Sequence, residues 1–262
     1  MIIVPGKCRQ RGFFAPSALF RPRFNVDAAY FDGTNDYLEK LSALTGAADS
    51  KTGILSFWIR FDAGSGAQRD IFNSRNAGDS SSGVTVVKGT DDKIYIGGNS
   101  SVPAQVMNFN TSAMPIDGTT WKHILASWNA ATTTLQLYVD DVSDKTESVN
   151  NNATIVYTDT KWWVGASSFG TTFALNGNLA EFFFAPGQYL DFSVTANRRK
   201  FNSGGKPANL GATGSAPTGT APLIYLHLDD GETAANFATN RGTGGNFSVV
   251  GALTTASTSP SD

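Results

Sequence analysis

The sequence is poorest in the residues that do chemistry, with one cysteine and two histidines among 262 residues. A lone cysteine, Cys8, forbids an intrachain disulfide, so folding does not depend on an oxidising compartment. Two histidines and one cysteine cannot supply a zinc site of ordinary composition within one chain. No Gly-x-Ser-x-Gly elbow occurs and Cys8 has no local partner, which removes the usual signatures of nucleophilic catalysis. Charge is scarce as well. Only 16% of residues are charged and the formal net charge is −2, so no global field recruits nucleic acid or a membrane surface. No stretch approaches the roughly 18 apolar residues of a membrane span. The first apolar run breaks at Pro5 and is followed by Lys7, Arg9 and Arg11, so no secretory signal peptide is expected.

What is abundant points to strands. Glycine (27) and phenylalanine (18) are frequent and 40% of side chains are hydrophobic. Short strands joined by Gly, Asn, Asp and Ser turns give such a profile, and one β-sandwich can absorb a chain of this length. Residues 54–61 are rich in aromatic and branched side chains, with Ser56 and Arg60 on the parity opposite Phe57, Ile59 and Phe61. Residues 84–87 and 93–96 flank the turn Gly89-Thr90-Asp91-Asp92 as a hairpin. Residues 123–128 and 134–139 flank Asn129–Thr133 as a second, and Leu135, Leu137 and Val139 alternate with polar neighbours as a half-buried strand requires. Residues 161–165, 179–184 and 223–228 predict further strands. The only helical candidate is a short one over 193–201, with Ser193 placed to cap it.

Three regions separate by composition. Residues 1–27 carry Arg9, Arg11, Arg21 and Arg23, prolines that break regular structure, and Phe13, Phe14 and Phe20. Such a segment predicts an extended arm too apolar for an ordinary disordered tail. Arginine suits buried polar contacts, so these residues form a candidate assembly arm laid across a neighbouring subunit. Residues 28–201 are the expected sandwich. Residues 202–262 are a Gly/Ser/Thr-rich extension whose strand near 223–228 completes it.

The order of four blocks resembles the laminin-G-like, concanavalin A-like jelly-roll superfamily. Ala29–Leu38 resembles its opening strand, an aromatic-Asp-Gly turn followed by Asp-Tyr. Leu55–Ile59 resembles its second element, Trp121–Trp128 with Leu135–Asp140 its central hairpin, and Asn176–Phe182 its late apolar-x-Glu strand. The segment from Gly205 to Asp262 is similar to the C-terminus of such domains in bacteriophage and prophage proteins. The resemblance implies an all-β, two-sheet antiparallel jelly roll on a virion, as head decoration, head fibre or tail-associated protein. It implies synthesis in the host cytoplasm, other virion proteins and copies of itself as partners, and no enzymatic activity. The alternative it carries is a carbohydrate-binding module attaching to cell-surface glycans.

Each sharper chemistry can be weighed on residues. Glycosidases need two carboxylates across a scissile bond, yet the late strand offers Glu181 alone. Asp140-Asp141 and Asp229-Asp230 are sequence neighbours, which on a strand point to opposite faces and here suit turns. His123 and His227 each lie among apolar residues and read as packed, hydrogen-bonded histidines. Asp32, Asp36, Asp70, Asp79, Asp91 and Asp92 lie in or near turns without EF-hand spacing, and turns favour Asp without any metal. No cofactor is expected; calcium stays open, with no ligand named. Sugar rings stack on flat apolar faces, so the candidate ligand-facing aromatics are Trp58, Trp128, Trp162 and Trp163. Of the adjacent pair Trp162 and Trp163, one must face the core and the other away.

Overall fold

A computed structural model describes residues 24–76, 83–101 and 104–262. The assembly-arm residues Arg9, Arg11, Phe13, Phe14, Phe20, Arg21 and Arg23 lie outside the described residues, as does Asp79. In chain order the strands are β1 (Ala29–Asp32), β2 (Tyr37–Lys40), β3 (Thr52–Phe61), β4 (Arg69–Arg75) and β5 (Val84–Lys88). Next come β6 (Lys93–Asn99), β7 (Gln105–Ala113), β8 (Lys122–Asn129), β9 (Thr134–Val139), β10 (Val142–Ser143) and β11 (Thr146–Asn150). The last are β12 (Lys161–Val164), β13 (Asn176–Pro186), β14 (Ile224–Leu226), β15 (Ser248–Val250) and β16 (Thr254–Thr255).

These strands form two antiparallel sheets of eight, a jelly-roll sandwich. The first runs β10-β9-β8-β3-β13-β1-β16, with β14 also paired to β13; the second runs β11-β7-β6-β5-β4-β12-β2-β15. Alternation decides which side chains meet between them. Leu55, Phe57, Ile59 and Phe61 of β3 face Phe72, Val86, Ile96 and Phe109 of the second sheet in one core. Rings of Phe182 and Phe184 sit 5.1 Å from Phe72 at tilted angles, the geometry aromatic quadrupoles favour.

The outer face of the first sheet is not left to water. Ile54, Leu125, Phe183 and Tyr225 point outward and are covered by Phe192, Phe201 and Leu210 from the long segment after β13. Trp58 and Ala180 are covered by Val26 and Ala28, with Phe24, Trp121 and Ala256 packed alongside. Packing therefore begins at Phe24, inside the segment that composition assigns to an arm. The C-terminal extension contributes to both sheets: β14 pairs with β13, β15 with β2, and β16 with β1. The short helix is one turn, Thr195–Arg198, and its N-cap is Val194 without a side-chain cap. Ser193 does not cap it; its own N–H is donated to Asp191 Oδ1 at 2.9 Å.

Candidate functional site

Three of the four expected ligand-facing tryptophans are spent on packing, for reasons visible in the pleat. Trp128 shares the inward parity of Ile124 and Ala126, lies fully buried in the main core and donates Nε1–H to Tyr157 at 2.7 Å. Trp162 is fully buried beside Phe72 and donates Nε1–H to the Asp159 carbonyl at 2.8 Å. Trp163 points to the outer face of the second sheet, between its cross-strand neighbours Asn73 and Glu39, and is 8% exposed. None of these three offers an open ring face. Trp58 is 3% exposed, but it forms the floor of a groove.

That groove lies where the covering of the first sheet parts, a cavity of about 390 Å³ bordered by Trp58, Trp121, Asp140, Ser259 and Asp262 among others. Its floor is fixed from behind. The Trp58 ring stacks on His123 at 4.7 Å. His123 is buried, with Nε2 2.9 Å from Ser56 Oγ and Nδ1 3.5 Å from the Asn202 amide nitrogen. Burial pushes the imidazole pKa down to about 4, against the opposing pull of Asp140 and Asp141. With Nδ1 facing the Asn202 amide, the ring proton belongs on Nε2, donated to Ser56.

Trp121 forms the groove's aromatic wall and is only partly buried. Its orientation is set by other residues. The Arg60 guanidinium sits 5.6 Å over the ring, and Nε1–H is donated to Thr258 Oγ1 at 3.3 Å. Arg60 is itself held by Asp62 at 3.0 Å and also donates to Thr258. A cation on one face and an anchored edge fix the indole plane. Asp140 also borders the groove, in the left-handed conformation (φ 50°) that closes the β9–β10 turn. Its carboxylate accepts the His123 N–H at 2.9 Å and the Lys122 ammonium at 2.7 Å. A carboxylate has about four acceptor positions, so capacity remains. The far wall is the Ser259–Asp262 turn, closed by Ser259 N–H to Asp262 Oδ2 at 2.7 Å and tied to the N-terminal segment by Val26 N–H to Ser261 Oγ at 3.0 Å. A flat apolar ring beside a fixed carboxylate can hold a ligand with an apolar face and hydroxyl edges.

Glu181 and His227 meet on the same sheet face, and neither borders the groove. Glu181 contacts His227 Nδ1 directly and accepts the Tyr225 hydroxyl at 2.9 Å. His227 Nε2 reaches Asp229 at 2.9 Å, and Asp229 accepts Arg241 at 2.8 Å. Burial disfavours the imidazolium, but the hydrogen bonds and charges of Glu181 and Asp229 outweigh it and raise the His227 pKa. The Phe24 ring stacks over His227 at 5.8 Å. Glu181 is 3% exposed, so this chain of charges ties β13, β14 and the N-terminal segment together.

Among the described residues no three His, Cys, Asp or Glu side chains converge in a metal-holding group. The aspartates expected in turns have protein partners: Asp32 accepts the N–H groups of Thr34, Asn35 and Asp36, Asp36 that of Ala252, and Asp70, which lies buried in β4 and not in a turn, the Gln68 amide. Asp91 accepts the Tyr95 hydroxyl, and Asp92 pairs with Lys88 at 2.5 Å.

The profile of a laminin-G-type family, the concanavalin A-like lectin/glucanases superfamily, matches residues 32–185, more than half of the chain. The chain belongs to this superfamily. Among solved structures, members of similar shape include a candidate carbohydrate-binding protein from Bacteroides ovatus, at 14% identity and a TM-score of 0.61, covering 90% of this chain. This chain spans 61% of that protein's length. A heptameric SAP-like pentraxin from Limulus polyphemus matches at 12% identity and a TM-score of 0.50, covering 70% of this chain and 86% of the pentraxin. No curated protein matches the chain. At these identities the likeness is one of fold.

Trp121 was visible as the residue opening the central hairpin, but parity along β8 could not mark it, since it stands one position before the strand begins. Its partners Arg60 and Thr258 lie 61 and 137 residues away, and no local pattern joins them.

Proposed function

We propose that this chain is a carbohydrate-binding, lectin-like domain and that the groove between Trp121 and Asp140 holds the sugar. The observation that carries this reading is a half-buried indole, fixed in plane by Arg60 and Thr258, beside a carboxylate with acceptor capacity to spare. The axial C–H face of a hexose packs on such a ring while its hydroxyls donate to Asp140. A volume of about 390 Å³ falls in the range of small-ligand sites, roughly 300–1,000 Å³. The superfamily match and the Bacteroides ovatus neighbour, itself a candidate carbohydrate-binding protein, support the same class. A glycan array with and without calcium, followed by calorimetry on the best binder, tests it. Trp121→Ala is expected to weaken binding at least about fivefold, since an aromatic stacking contact is worth ~1 kcal/mol or more. No bound glycan in either condition, or full affinity in the variant, overturns the reading.

The role is binding rather than hydrolysis: Glu181, the late strand's single acid, is 3% exposed and engaged by Tyr225 and His227. Glu181→Gln should leave glycan binding unchanged, and turnover of any glycan by the wild-type chain would refute the assignment. Carriage on a bacteriophage particle, at head or tail and among copies of itself, rests on the resemblance of Gly205–Asp262 and on the basic, apolar composition of residues 1–27. Loss of particle incorporation on deleting residues 1–23 is the expected result; normal incorporation sinks it.

A further inference from the structure

A second groove lies across one short turn from the first, and its chemistry is of opposite sign. The turn runs through residues 203–207 and is tied by Ser203 N–H to the Lys206 carbonyl at 2.8 Å and Gly205 N–H to Asn202 Oδ1 at 2.8 Å. Gly205 borders the Trp121 groove, whereas Ser203 and Pro207 border the second. The second cavity measures about 360 Å³, and its charged walls are Arg199 and Lys200, with Asn209 and the apolar Phe24 and Pro207 also lining it; no carboxylate of the described residues does. Arg199 is 58% exposed and its ion pair with Asp141 uses Nε at 3.2 Å. Lys200 gives one hydrogen bond, to the Pro217 carbonyl at 2.9 Å, of the three an ammonium can make. The Trp121 groove, by contrast, is lined by Asp140 and Asp262 and by no cation of the described residues; the nearby Lys122 and Arg60 are paired with Asp140 and Asp62, and Lys206 donates to the carbonyls of Ser261 and Asp262.

We infer that the two grooves are adjoining subsites for one acidic oligosaccharide, with an uncharged ring on Trp121 and a carboxylate-bearing sugar beside Arg199 and Lys200. This rests on the glycan reading of the first groove and adds the ligand's charge and its placement. Two lining carboxylates and no lining cation favour an uncharged ring at Trp121, while a guanidinium and an ammonium favour an anionic one across the turn. Both polar rings keep an apolar surface to cover, Trp121 and Pro260 in one groove, Phe24 and Pro207 in the other.

The test is calorimetry on the full chain with a matched pair: a neutral oligosaccharide that binds, and the same chain carrying one hexuronic acid next to the bound ring. The acidic member is expected to bind about tenfold tighter at low salt, the equivalent of one charge-assisted contact, with the advantage shrinking as salt is raised. Arg199→Ala/Lys200→Ala, both on exposed side chains, should bind the two members alike, and Trp121→Ala should weaken both. Equal affinity of the two members for the wild-type chain, or an acidic preference that survives the double substitution, overturns the second subsite while Trp121-dependent binding of the neutral member leaves the first intact. Binding of the neutral member undiminished in Trp121→Ala overturns both.

Discussion

Glu181 holds a backbone conformation that L-residues seldom adopt, φ 52°, at a bulge in β13 where pairing with β3 slips between Ala180 and Phe183. The slip has a clear purpose. Leu179 points into the main core, and strict alternation would send the carboxylate of residue 181 there too. The extra residue lets Phe182 take the core position instead and turns Glu181 toward Tyr225 and His227. The two histidines then give stability opposite pH dependences. The His227 pKa is raised, so its contribution is whole below the unfolded value of about 6.5 and fades as pH climbs through the folded value. The His123 pKa is lowered to about 4, so its contribution is whole above about 6.5 and fades as pH falls toward 4. For this fully buried ring the acid-side loss is on the order of 3 kcal/mol. Thermal melts from pH 4 to 9 should show both flanks. His227→Gln should flatten the alkaline one and His123→Gln the acidic one; slopes unchanged by either substitution would refute the assignment.

At the scale of elements, what local pattern could reveal and what it could not divide cleanly. Residues 54–61, 123–128 and 134–139 show alternation or aromatic richness strong enough to place β3, β8 and β9 in advance, and Leu223–Leu228 announces β14. β4 does not announce itself, because Arg69-Asp70-Ile71-Phe72-Asn73-Ser74-Arg75 has only two apolar residues and a slipped register at Asp70. β15 and β16 are three and two residues long, below the length at which period-2 alternation is readable. They form because distant partners are waiting, β2 and β1, more than 200 residues earlier. A side chain replaces a sheet where the returning chain would otherwise lack bonds. Asn240 Oδ1 accepts the N–H groups of Tyr225 and Gly242, and its Nδ2 donates to the carbonyls of Leu223 and Gly245. Asn240→Ala strands several of these buried groups and should cost about 2–4 kcal/mol, read as a lowered denaturation midpoint at unchanged slope. A loss below 1 kcal/mol would mean water replaces the amide. Gly53 provides a packing counterpart: a Cβ there would fall 2.3 Å from the Trp128 ring. Gly53→Ala should destabilise by ~1–3 kcal/mol through overpacking.

For the whole molecule, the site is a product of segments distant in sequence meeting, which is why it was the least legible part of the sequence. The sandwich could be read from patterns within single strands, whereas the groove needs Arg60 from β3, Trp121 before β8, and Thr258 to Asp262 from the far end to arrive together. Two parts of the C-terminal extension therefore do different work, and truncation separates them. Residues 223–255 supply three strands, one or more to each sheet. Removing 223–262 should abolish the cooperative melt, because central β13 loses β14 and both sheets lose an edge. Residues 256–262 supply no strand. They cover Trp58, clasp Val26 through Ser261, anchor Trp121 through Thr258 and wall the groove. Ending the chain at residue 255 should thus leave one cooperative transition, lowered by about 2–4 °C for each kcal/mol of lost packing, while Trp58 and Trp121 gain solvent and their fluorescence shifts to the red. Glycan affinity should disappear in the same variant. Affinity retained after loss of this cover would place the sugar elsewhere on the sandwich.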